Sequence, residues 1–259
     1  MSEINKKMPV LFVGHGSPMN AIEDNEYTEN WAKIKELIPK PTAILAISAH
    51  WYTEGTRITD ADNPKMVYDM YGFPEELYKV EYNTKGAPEL ARLTKNLIQK
   101  EVIIDNSWGY DHGTWSILHK MYPAADVPVY QLSVDRNVDA RTHFQIGKDL
   151  STLRDNGVLI FASGNVVHNL RKLDWNMSGG YPWAEEFDLY IKDKIVNKRY
   201  EDVLQYEKAG QSAQLSIPTP EHFYPLLYAL GASDESDKVK VFNNSSMLGA
   251  LSMTSYLFY

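Results

Sequence analysis

Four of the seven histidines lie in short segments whose neighbours suit metal chemistry. They are Gly14-His15-Gly16-Ser17-Pro18, Ser48-Ala49-His50-Trp51, Gly164-Asn165-Val166-Val167-His168-Asn169 and Pro220-Glu221-His222. A neutral imidazole binds iron, zinc, copper or nickel. The chain has no cysteine, so no thiolate can serve as a ligand. A lone histidine is ordinarily a surface or hydrogen-bonded residue, and His119 and His143, set inside helical patterns, are read that way. The other four differ because they follow apolar runs or open a helix. No His-Glu-x-x-His signature occurs, so a site must be assembled from distant segments.

A fifth segment, Trp108-Gly109-Tyr110-Asp111-His112-Gly113-Thr114-Trp115, crowds aromatics, glycines and an Asp-His pair together. It reads either as an aromatic loop with a satisfied histidine or as a pocket wall. In the second reading, His112 donates a hydrogen bond to an oxygen that becomes anionic. Tyr71-Gly72-Phe73-Pro74 is a weaker candidate for another aromatic wall.

The elements that must position these residues follow from periodicity. Pro9 to Val13 and Ala43 to Ile47 are short apolar runs that predict buried strands. Between them, Glu26 to Ile38 carries apolar residues at helical spacing and is stopped by Pro39 and Pro41. A strand-helix-strand unit predicts two parallel strands with a right-handed crossover. His15 and His50 would then lie just beyond the carboxyl ends of neighbouring strands, about 4.8 Å apart, on the edge that open α/β sheets use for ligands. Further strands are expected at Val127 to Val134, Val158 to Ala162, Lys238 to Phe242 and the last nine residues. Helices are expected at Pro88 to Lys100, Ala140 to Asn156 and much of Trp183 to Tyr206. Thr219 is expected to cap a helix that starts at Pro220 and stops before Gly231, which would put His222 in a first turn whose dipole favours neutral imidazole.

Composition bounds the class. No linker, repeat or composition break divides the chain, so residues 1–259 are expected to form a single domain, and 44% hydrophobic residues supply a sizeable core. A net charge of -8 disfavours nucleic acid, which requires clustered Lys and Arg. No apolar run reaches the roughly 18 residues of a membrane helix. Met1 to Met8 is polar and lacks a signal peptide's apolar centre. A cytoplasmic location is expected, and the oligomeric state stays open.

At these residues the chain resembles the class III extradiol ring-cleaving dioxygenases of the protocatechuate 4,5-dioxygenase type, and within them the 4,5-DOPA dioxygenase branch. The resemblance rests on His15-Gly16-Ser17-Pro18, Ser48-Ala49-His50-Trp51, Tyr71-Gly72-Phe73-Pro74, Asp111-His112-Gly113-Thr114-Trp115, Gly164-Asn165 with His168-Asn169-Leu170, and Thr219-Pro220-Glu221-His222, which run in order through most of the chain. It implies a three-layer α/β/α domain around a largely parallel or mixed sheet. It implies a mononuclear non-haem iron(II) site that takes a catechol and dioxygen, ligated by His15, His50 and His222. By the same resemblance, His168 is the acid/base, also approaching the metal when substrate is absent, and His112 is the second pocket histidine. Ser17, Trp51, Tyr71 and Trp115 are the expected substrate contacts.

The wider superfamily uses two histidines and a glutamate. The DOPA-type branch has histidine at the third position, as His222 does here, with Glu221 beside it as a candidate carboxylate ligand. Three neutral ligands would suit an anionic catecholate and would also hold zinc, so Zn(II) is expected in purified protein. The implied product is a muconic semialdehyde, opened beside the diol. Two other readings use the same histidines: a zinc hydrolase working through bound hydroxide, and a binding homologue without catalysis.

Overall fold

A computed structural model describes residues 7–259. The polar segment up to Lys6, part of the stretch read as lacking a signal peptide, lies outside the described residues. Strand β1 (Val10–Gly14) sets up the layers. Its side chains alternate, so Val10 and Phe12 enter one core while Leu11 and Val13 enter the other. All five residues are buried, as a strand covered on both faces requires.

In chain order, α1 (Glu26–Lys35) leads to β2 (Ala43–Thr53) and β3 (Thr56–Ile58). Next come α2 (Pro88–Leu97), β4 (Val102–Ile104), α3 (His112–Met121), β5 (Val129–Asp135), α4 (Ala140–Leu150) and β6 (Val158–Gly164). Helices α5 (Pro182–Val196), α6 (Tyr200–Leu204), α7 (Gln211–Ser216) and α8 (Tyr224–Ala232) follow. The chain ends with β7 (Val239–Phe242), a small hairpin of β8 (Ser246–Met247) and β9 (Leu251–Ser252), and β10 (Ser255–Phe258).

The eight-stranded sheet has the order β4-β3-β5-β2-β6-β1-β10-β7. Its centre is parallel, and β10 and β7 join antiparallel. Residues of α1 and α3, such as Trp31, Ile34, Ile117 and Leu118, fill one core. Those of α4, α5 and α8, such as Ile146, Phe187 and Leu227, fill the other. The expected α/β/α arrangement on a mixed sheet is therefore present. Among the described residues no helix is long and apolar enough to cross a membrane.

Three local expectations need correction. First, β1 and β2 are parallel but not neighbours, because β6 pairs with both. The periodicity of the first 50 residues holds no information about a strand that arrives a hundred residues later. Second, β2 does not stop at Ile47. It runs to Thr53, and His50 lies within it. Third, Thr219 does not cap α8. Its hydroxyl bonds the Glu221 carboxylate at 2.9 Å, His222 sits in a turn ahead of the helix, and Gly231 lies inside the helix.

Candidate metal centre

Each histidine reaches the carboxyl edge by a different device. His15 follows β1 directly, and its backbone N–H donates to the Gly164 carbonyl at 3.1 Å. His50 is aimed by an irregularity in β2. Ile47 faces Leu132 and Tyr52 faces Val134, so Ser48 to Trp51 bulge out of the ladder with β5. His222 is fixed by its own backbone: its carbonyl accepts the Asn165 N–H at 2.9 Å. Gly164 permits that approach, since a Cβ there would collide with the same carbonyl. His112 is the first residue of α3. His168 follows β6 and is held by its N–H donating to the Ser216 carbonyl at 2.9 Å.

Ring partners define which nitrogens carry protons. The Ser163 hydroxyl donates to the Gly113 carbonyl at 2.5 Å, so it accepts from Nδ1 of His15 at 3.0 Å. A carboxylate faces Nδ1 of His50, from Asp69 at 3.1 Å, and Nδ1 of His222, from Glu221 at 3.2 Å. Each of the three rings thus carries its proton on Nδ1 and leaves Nε2 as a lone pair. The Nε2 atoms of His15 and His50 then face one another at 3.2 Å, and when both rings are neutral no proton lies between them. Nε2 of His222 is buried without any partner. One ligand nitrogen from each of the three lies within 4.8 Å of the others.

Lone pairs so arranged repel unless a cation lies among them. Metal–nitrogen bonds of about 2.1 Å at right or tetrahedral angles put ligand nitrogens about 3.0–3.4 Å apart, which brackets the His15–His50 separation. The donor set therefore fits a divalent ion with nitrogen preference. Burial, reinforced by neighbouring imidazoles, pushes the pKa values of His15 and His222 well down. It likewise lowers His168, to about 3. Burial also acts to lower His50, but the Asp69 hydrogen bond and the nearby carboxylates of Asp111 and Glu221 outweigh it and raise the value.

His168 stacks on His222, and His112 stands beside His50 with ring centroids 3.9 Å apart. All five histidines singled out in the sequence are thus brought together. His119 and His143 are not part of the group; His143 lies between α4 and α8, bonded to the Tyr228 hydroxyl at 3.0 Å.

The expected substrate contacts divide. Ser17 is half-buried and caps a short 3-10 turn through the Met19 N–H. Trp51 is buried, and Trp115 is fully buried with its indole N–H on the Val67 carbonyl at 3.0 Å. Tyr71 is 92% exposed. Two carboxylates were given no role in the sequence reading, although Asp111 belonged to a quoted motif. Asp111, wholly buried, accepts from Ser48, Gln131 and Trp108 at 2.6, 2.6 and 3.1 Å. Asp69 touches both His50 and His112. Its position two residues before Tyr71-Gly72-Phe73-Pro74 was the available signal.

A mixed α/β sheet with imidazoles converging at its carboxyl edge has the donor set of a metal-dependent enzyme. A family model described as the catalytic LigB subunit of aromatic ring-opening dioxygenase matches residues 9–259, and the chain belongs to that family. A protein of Escherichia coli K12 named 4,5-DOPA dioxygenase extradiol is 45% identical over 96% of this chain and 94% of its own. One of the same name from Beta vulgaris is 40% identical over 99% of this chain and 98% of its own. The crystal structure of an uncharacterized Escherichia coli K12 protein superposes with a TM-score of 0.86, at 40% identity, covering 98% of this chain and 100% of that one. The activity is extradiol dioxygenation, in the branch of the DOPA-dioxygenase relatives.

Proposed function

We propose that residues 1–259 act as one catalytic domain that opens a catechol such as L-DOPA beside its diol, using iron(II) held by His15, His50 and His222. The facing Nε2 atoms of His15 and His50, 3.2 Å apart with both Nδ1 atoms occupied by acceptors, carry this reading. Iron supplies the acidity that ionises the catechol and the redox activity that lets its electrons reach dioxygen, which zinc lacks. The same nitrogens also suit zinc, which is expected in purified protein.

His168 is the proton-transfer residue in this scheme. Burial lowers its pKa and keeps it neutral at physiological pH, which leaves a ring nitrogen free to accept a catechol hydroxyl proton on binding and return it when the ring opens. His112 lines the other side of the group, and Asp69 on its Nδ1 stabilises its protonated form. Once protonated, His112 donates from Nε2 to the oxygen that gathers negative charge. Ser17 and Tyr71, which retain accessible surface, are the proposed substrate contacts. Trp51 and Trp115 support the walls behind them.

The test is anaerobic loading with iron(II), followed by a catechol panel that includes L-DOPA. Dioxygen uptake with appearance of a yellow product is expected. Turnover that needs neither iron nor dioxygen would instead select the zinc hydrolase, and silence toward every catechol would select the binding homologue.

A further inference from the structure

Asp69 lies in the segment between β3 and α2 that has little regular secondary structure, yet its carboxylate is shared out completely. Oδ2 faces Nδ1 of His50 at 3.1 Å and Nδ1 of His112 at 3.0 Å. Oδ1 accepts the backbone N–H of His112 at 2.9 Å. Val67, two residues earlier, is pinned through both backbone groups: its N–H donates to the Tyr110 carbonyl at 2.7 Å, and its carbonyl accepts the Trp115 indole N–H.

We propose that Asp69 is the positioning residue of the site: one oxygen fixes the Nδ1–H tautomers of His50 and His112 together, so that both rings present an unprotonated Nε2. The proposal deepens the reading of His50 as a metal ligand and rests on it for His50 alone. A carboxylate oxygen only accepts, so neither ring can place its lone pair on Nδ1 while Asp69 is ionised. For His50 the result is a ligand nitrogen already deprotonated and aimed, as outer partners of metal-bound histidines do. For His112 the result is a ring that enters the reaction as a proton acceptor and becomes a donor only after taking one up. That order differs from the expectation of a standing donor.

Asp69→Asn separates this role from packing. The amide is the same shape, and its oxygen is claimed by the His112 backbone N–H. The NH2 therefore occupies the Oδ2 position, where it donates to Nδ1 and drives both protons to Nε2. The experiment is ¹⁵N-resolved NMR of the histidine rings in the zinc-loaded protein, wild type and variant, with zinc affinity and thermal midpoint measured alongside. Wild type should show the His112 proton on Nδ1. The variant should melt within a few degrees of wild type, show that proton on Nε2, and bind zinc about 10–100-fold more weakly. His112 protonated on Nε2 in wild type, or an Asn variant with unchanged tautomers and affinity, would overturn the proposal. If the variant fails to fold, the wild-type spectrum alone still decides it. If wild type binds no zinc, the ligand reading falls instead, and the tautomer of His112 is then read in the metal-free protein.

Discussion

The imidazole of His168 lies flat on that of His222, with ring centroids 3.4 Å apart and planes within 7°. The two residues are anchored independently, His168 by its backbone N–H on the Ser216 carbonyl, His222 by its carbonyl on the Asn165 N–H and by its ring on Glu221. The stack therefore sets a neutral imidazole at the edge of the proposed metal site without making one residue's backbone depend on the other for its place.

His168→Ala should consequently retain metal and lose chemistry. Metal content should stay within about twofold of wild type, while ring opening falls by about 10²–10⁴, the usual range for a lost acid/base. Metal analysis beside single-turnover dioxygen uptake checks this, and near-normal ring opening would remove the role assigned to His168.

His15→Ala and His50→Ala should each lose the ion. Each removes one of the two nitrogens that face one another at 3.2 Å, leaving too few donors to compete with water. Full metal occupancy in either variant, measured after dialysis, would refute the ligand assignment.

His143 predicts a pH dependence of folding that is separate from the metal. Burial lowers its pKa from 6.5 to about 4, and its Nε2 has no partner. As pH falls below 6.5 the unfolded chain binds a proton that the native chain refuses, so stability declines until about pH 4 and then levels. The full loss is on the order of 3 kcal/mol. Denaturant titrations of wild type and His143→Leu should differ in slope over that window, with the variant flatter; equal slopes would contradict the account.

Gly231→Ala should destabilise the fold. A methyl group there would meet the Phe144 carbonyl oxygen and the facing Gly147, where α8 lies against α4. Helix propensity favours alanine by about 1 kcal/mol, but overpacking against backbone costs about 1–3 kcal/mol and should win. A lowered thermal midpoint is expected, and a raised one would show that the helices can separate freely.

Much of this was legible in the chain. The apolar runs marked β1, β5, β6 and β7, and glycine-flanked histidines at strand ends marked the site, because buried parallel strands and close backbone approaches leave local traces. Spatial order left none: β6 entering between β1 and β2 depends on partners far away in sequence. The bulge that aims His50 was hidden because Ser48 to Trp51 looked like the end of a strand. Asp69 escaped notice and Asp111, though quoted in a motif, was given no role, since a carboxylate's role lies in what reaches it from elsewhere. Trp115, read as a substrate contact, proves fully buried, since an aromatic in a short motif looks the same whether it faces ligand or core.

The insertion of β6 also governs when the site can exist during synthesis. His15 and His50 leave the ribosome early, but β1 has no sheet partner until β6 emerges and is closed on its other side only by β10. The third nitrogen, on His222, arrives later than β6. On the proposed ligand set, a nascent chain cannot capture an ion until most of it has been translated, and such distant pairings favour slow assembly. Products cut short before residue 222 would emerge without a complete set of ligands, however well their first strands had formed.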